Sequence, residues 1–274
     1  MTTTTAYPTL SSLEGFPFPV FVSRGSEERG NSIATRTARA LTWLGQVTGR
    51  DRRPTLVVAD EQDWPGVCEV PIYGMMFSIP GKLGTSPTPA PWWREYVDAL
   101  RPHLSVPAST LLAQTFGDPP DFTAIADLII THEATHLFHD IHPETWASEF
   151  PSDWVMELFA NLGMHGYLAT HEPEQLRLLA AMAEATTDAG NDIWDLQDLA
   201  LMGESMQTSV TNYVWYEFRL IRLAEQLWNA GGEDALRDYQ RLLGHPELTH
   251  EQVVDRLSQL EPSVADAIRR WPAP

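Results

Sequence analysis

The chain has 274 residues, 43% of them hydrophobic and ten of them tryptophan, which is enough apolar material for one large folded domain or two small ones. Its formal net charge of −19 argues against nucleic acid and an anionic membrane as partners. No stretch approaches the roughly 18 uninterrupted apolar residues of a transmembrane helix, no signal region is visible in MTTTTAYPTL, and the single cysteine, Cys68, excludes an internal disulfide and fits a reducing, cytoplasmic location.

Residues 1–15 read as a loosely attached lead. Phe18 to Ser23 (FPVFVS) reads as a first strand. Asn31 or Ser32 is placed to cap a helix running to about Thr48, with Ile33, Thr37, Leu41, Leu44 and Val47 on one side and Gly49 to end it. Leu56 to Ala59 reads as a short buried strand, so the chain opens β-α-β and predicts a small sheet with a helix packed on it. Val70 to Ile79 (VPIYGMMFSI) reads as one or two strands broken near Gly74, and Pro71 argues for a sheet edge. Met75, Met76 and Phe77 read as core. Gly81 to Pro91 (GKLGTSPTPAP) reads as a loop. Trp92 to Leu100 and Ala108 to Phe116 read as short helices, the first opening on two tryptophans expected near the surface.

The next segment carries the chemistry. Asp121 is positioned as an N-cap, and Phe122, Ile125 and Ile129 recur at helical spacing with Leu128 beside them. The residue before proline avoids the α region, so His142-Pro143 closes the pattern and the predicted helix has about 20 residues. Inside it His132-Glu133-Ala134-Thr135-His136 spells H-E-x-x-H. Residues four apart lie one turn above each other on one helix face, so both imidazoles can reach one Zn²⁺ at about 2.0–2.1 Å. Glu133 sits beside them and can take a proton from a metal-bound water, whose pKa zinc lowers to about 7.

A catalytic zinc site usually has three protein ligands, and two residues compete for the third place. Glu157 lies in WVMELFAN, near the start of a second helix that Pro151-Ser152-Asp153 would open, and Asn161 one turn later can hold a zinc-bound histidine by its second nitrogen. His142 is the other, in the run H-E-x-x-H-x-x-H-x-x-H. Leu137-Phe138 read as continuing helix, and His139 stands where a turn toward His142 would need glycine, so the pattern favours Glu157.

H-E-x-x-H followed after about twenty residues by W-x-x-E-x-x-A-[DN] resembles the gluzincin metallopeptidases, the thermolysin and M1-aminopeptidase kind. The resemblance covers about residues 131–165. It implies zinc held by His132, His136 and Glu157, Glu133 as general base, and a peptide or protein substrate. Asn161 stands where the family often has aspartate and adds no negative charge. The resemblance also implies that an edge strand, here Val70 to Ile79, borders the cleft. A tyrosine or histidine would stabilise the oxyanion. Tyr213 and Tyr216 are the candidates, with His165, two turns past Glu157, a weaker one.

Past Glu157 the chain reads as helices over about 152–170, 173–187, 193–206, 210–229, 233–243, 249–259 and 263–270, with Gly231-Gly232 and His245-Pro246 as breaks. The expected fold is α+β and zincin-like: residues 1–140 as an α/β subdomain ending in the H-E-x-x-H helix, and residues 141–274 as a helical subdomain carrying the third zinc ligand. The expected function is zinc-dependent peptide hydrolysis. The alternatives are a non-catalytic interaction protein of the same fold and a zinc hydrolase of a non-peptide amide.

Overall fold

Val20-Phe21-Val22 and Thr55-Leu56-Val57-Val58 are rich in β-branched residues, and both become strands of one small sheet. A computed structural model describes residues 7–138, 152–245 and 247–272. The sheet comprises β1 (Ser11–Leu13), β2 (Val20–Val22), β3 (Thr55–Val58), β4 (Phe77–Ile79) and β5 (Lys82–Thr85), in the spatial order β1-β2-β3-β5-β4. The inner pairs β2–β3 and β3–β5 are parallel, and the outer pairs β1–β2 and β4–β5 are antiparallel. Helix α1 (Glu27–Thr48) carries the chain from β2 to β3, burying Ile33, Thr37, Leu41, Leu44 and Val47, and Gly49 ends it in the left-handed region at φ 73°. This is the expected β-α-β opening, in a mixed α+β chain that is mostly helical.

Several expectations are corrected. The lead contains β1, whose Ser12 pairs with Phe21. Helix α1 starts at Glu27 after Ser26, not at Asn31 or Ser32, with Glu27 and Glu28 in the first turn where the helix dipole favours acids. Of Val70 to Ile79 only the last three residues form a strand, and it is the sheet edge. The segment read as a loop from Gly81 contains β5, an interior strand with all four residues buried. Pro80-Gly81, with Gly81 at φ 74°, turns the chain from β4 into it, and pairing on both sides overrides a composition of weak strand formers.

The remaining helices are α2 (Trp64–Val67), α3 (Trp92–Leu100), α4 (Val106–Phe116), α5 (Thr123–His136), α6 (Trp154–His171), α7 (Leu176–Asp188), α8 (Met202–Thr208), α9 (Val210–Leu243), α10 (His250–Leu260) and α11 (Pro262–Arg269). Trp92 and Trp93 stack on each other, and Trp93 is buried rather than at the surface. Residues 193–198 are not helical, because the Asn212 side chain bonds both the N–H and the C=O of Leu196 and holds that stretch against α9. Helix α9 runs through the Gly231-Gly232 break with a kink at Gly232. The motif helix α5 is shorter than expected: it ends at His136, and Leu137 and Phe138 close it in tighter i→i+3 bonds. Its N-cap is Phe122 rather than Asp121, which stands one residue earlier and accepts from the Thr123 N–H at 2.8 Å. His139 and His142 lie outside the described residues. Among the described residues no helix is long and apolar enough to cross a membrane.

The main hydrophobic core runs from Phe18 to Ile268 and joins both halves of the chain. Helix α5 is pinned within it. Arg29 of α1 makes a forked ion pair with Asp127 of α5, and Arg36 bonds Glu172 at 2.7 Å just past α6. On the other side α5 lies so close to α6 that a Cβ at Gly163 would collide with the Thr135 side chain. Alanine is the better helix former by about 1 kcal/mol, but overpacking costs about 1–3 kcal/mol, so the clash should win. Gly163→Ala is expected to lower the urea midpoint with an unchanged m-value. An unchanged or raised midpoint would mean that α5 and α6 have room to part.

Candidate metal centre

Ten of the fourteen residues of α5 are buried, so its last turn holds polar groups inside the molecule rather than on its surface. His132, Glu133 and His136 are each less than a tenth exposed. The i, i+4 spacing brings the two imidazoles together edge to face, with ring centroids 4.8 Å apart, and α6 delivers Glu157 to meet them. His132 Nε2 and His136 Nε2 lie 3.0 and 3.1 Å from the same Glu157 Oε2, and 3.1 Å from each other. Tetrahedral ligands at about 2.0–2.1 Å from zinc stand about 3.3 Å apart, so the triangle is within a few tenths of an ångström of a coordinating one. Two imidazole lone pairs cannot face each other at that distance unless a proton or a cation lies between them. The donor set therefore fits a metal ion, and these three residues form a group able to hold one.

A second layer stands behind the triangle. His132 Nδ1 faces Asn161 Oδ1 at 3.1 Å, and Asn161 Nδ2 donates to Glu217 Oε2 at 2.8 Å. The contact between His132 and Asn161 matches the sequence expectation. Glu217, on α9, was not singled out. Its signal was its position one turn after Tyr213, on the same face of an amphipathic helix.

Tyr213 lines the cavity beside the triangle. Burial, then the charges of Glu157, Glu217 and Glu133, push its phenol pKa well above the usual value, so it keeps its proton and can donate. Tyr216 does not line the cavity: its hydroxyl donates to the Asp198 carbonyl at 2.8 Å and its ring stacks on Trp271. His165 is buried away from the cavity wall, and burial pushes its pKa down to about 4.

The cavity has a volume of about 460 Å³. Its polar wall carries four carboxylates, Glu133, Asp153, Glu157 and Glu217, beside His132, His136, Ser78, Asn161, Gln207 and Tyr213, with no lysine or arginine among the described residues. The rest is apolar: Met75, Met76, Phe77 and Ile79 at the sheet edge, Trp92 and Trp93 of α3, Ile129, Met156 and Met206, and Val214, Phe218 and Ile221 of α9. The segment around β4 therefore serves as pocket as well as core.

Burial and charge compete at each titrating group. Burial alone would lower the pKa of His132, but its bond to Glu157 and the charges of Glu217 and Glu133 outweigh that and hold it up to about 10. Burial would raise Glu157, yet the His136 charge and the bonds from His132 and His136 bring it well below the usual carboxylate range. Glu133 goes the other way: burial raises it, and the two histidines only partly oppose the shift.

These directions give a pH prediction with two opposite signs. A metal ion must displace the His132 proton, so affinity for added Zn²⁺ should climb with pH until about 10. The metal-free protein should do the reverse. A folded pKa above the unfolded one stabilises fully below about 6.5, and that contribution is lost as pH rises through about 10. Chelator competition and denaturant unfolding between about pH 6 and pH 9 measure the two slopes. Affinity that is flat across this range would show that no such proton is displaced.

A scan against protein-family models and searches of curated proteins and solved structures return no match for this chain.

Proposed function

We propose that the protein is a zinc-dependent metallopeptidase of gluzincin type, with a zincin-like arrangement of edge strand, H-E-x-x-H helix and helical second half. One observation carries this reading: three ligand atoms converge within 3.1 Å of one another at the wall of a 460 Å³ cavity that Glu133 also lines. His132, His136 and Glu157 would hold the metal. When bound, zinc supplies Lewis acidity, polarising a substrate carbonyl and making water nucleophilic near neutral pH.

The chain's own residues supply the rest. Glu133 takes the proton of the attacking water and returns it to the leaving nitrogen, and burial moves its pKa toward the working range of a general base. Tyr213, which retains its phenolic proton, donates to the carbonyl oxygen as negative charge builds there. An extended peptide can lie along β4, which is hydrogen-bonded to β5 on one side and forms the sheet edge on the other. Ser78 and Trp92 line the cavity beside that edge. The apolar walls accept an apolar side chain beside the scissile bond and keep bulk water out.

Glu133→Gln tests the reading because it keeps the shape and removes the base. Metal content should stay near one zinc per chain, as for the unaltered protein, while cleavage of a peptide library falls by at least about a hundredfold. Wild-type cleavage by the substituted protein would remove Glu133 from the mechanism. A zinc-loaded protein that cleaves no peptide would leave a metal-binding protein without peptidase activity.

A further inference from the structure

His132, Asn161 and Glu217 come from three different helices, α5, α6 and α9, and form one hydrogen-bonded line. Its far end determines its near end. Asn161 donates its NH₂ group to Glu217 Oε2, the arrangement an ionised carboxylate, which only accepts, requires above about pH 7. Its carbonyl oxygen is then the atom left to face His132, at 3.1 Å. An oxygen there requires a proton on His132 Nδ1. The other ring nitrogen, Nε2, is thereby left for the corner it shares with His136 and Glu157.

We infer that Glu217 is a positioning residue for the metal centre, acting through Asn161 to set the orientation and protonation pattern of His132 and to lend it negative charge. The inference rests on the reading of His132, His136 and Glu157 as metal ligands. Asparagine alone would fix a ring but carry no charge. The carboxylate stands one residue further back, and Asn161 relays it. That carboxylate is kept away from water: Glu217 Oε1 is sealed from solvent. A glutamine could still accept from Asn161, so what the position gains from glutamate is the charge and its accept-only character.

An amide–carboxylate exchange tests this. Zn²⁺ affinity is measured by chelator competition for wild type, Glu217→Gln, Asn161→Asp and the double variant. Glu217→Gln should lose about 10–100-fold, the usual scale for a group behind a metal-bound histidine. Asn161→Asp alone should also lose affinity, since it sets two carboxylates at hydrogen-bond distance. The double variant restores one carboxylate and one amide in swapped order and should recover most of the loss, a coupling that a merely structural contact does not produce. Thermal midpoints confirm that each variant is folded, and if one single variant fails to fold, the double variant and the other single still decide. Independently, the His132 Nδ1 proton should exchange slowly with solvent in isotope-labelled metal-free protein and faster in Glu217→Gln. Wild-type zinc affinity in Glu217→Gln, or a double variant as weak as the singles, overturns the inference. If the wild type takes up no zinc, the metal-centre reading fails, while the exchange of the Nδ1 proton still decides whether the relay exists.

Discussion

Two imidazole nitrogens and a carboxylate oxygen standing 3.0–3.1 Å apart need positive charge among them, and the rest of the site follows from that need. The wall around them adds Glu133, Asp153 and Glu217. Like charges about 4 Å apart repel by about 4 kcal/mol at an effective dielectric of about 20, so such a group is not left fully ionised. Protons fill the place when no metal does. His132 keeps its proton to about 10, and burial together with Glu157 pushes Glu217 up to about 7. A divalent cation answers the same demand with one ion.

Holding that crowd in place falls to packing outside it. Helix α5 is gripped between α1, through the Arg29–Asp127 pair, and α6, through the close approach at Gly163. Helix α6 lies in turn along α9, with Tyr239 donating to the Val155 carbonyl at 2.9 Å. The three helices that carry His132, Asn161 and Glu217 are thus fixed by contacts that touch none of those side chains. Their buried polar ends are oriented before any ligand arrives, which is how a site avoids the cost of ordering its groups on binding.

What was legible in the sequence depended on the range of the forces involved. His132 and His136 meet because the pitch of one helix brings them together, and pitch can be counted along the chain. Glu157 and Asn161 share that advantage on α6, four residues apart. Glu217 did not: it shares a helix face with Tyr213, but it reaches Asn161 only through the packing of α9 on α6. Tyr213 and Tyr216 stood together as candidates for the same reason: three residues apart on a helix, only tertiary contacts decide which of them faces the cavity. Strand β5 was hidden because Lys82-Leu83-Gly84-Thr85 has little strand preference of its own, and its neighbours on either side make it a strand. The stretch 193–198 looked helical by composition until a side-chain amide from α9 claimed its backbone.

The cavity wall also includes four methionines, Met75, Met76, Met156 and Met206, drawn from the sheet edge, α6 and α8. An unbranched thioether turns about three bonds at little cost, so a wall built from it remoulds around whatever occupies it instead of selecting one shape. Tolerance of occupants of different shape follows from that plasticity. So does a vulnerability, because the same sulfur atoms are open to oxidation. Each sulfoxide would replace a soft apolar contact with a strong dipole, and a few would turn the lining polar while leaving the acidic corner chemically intact.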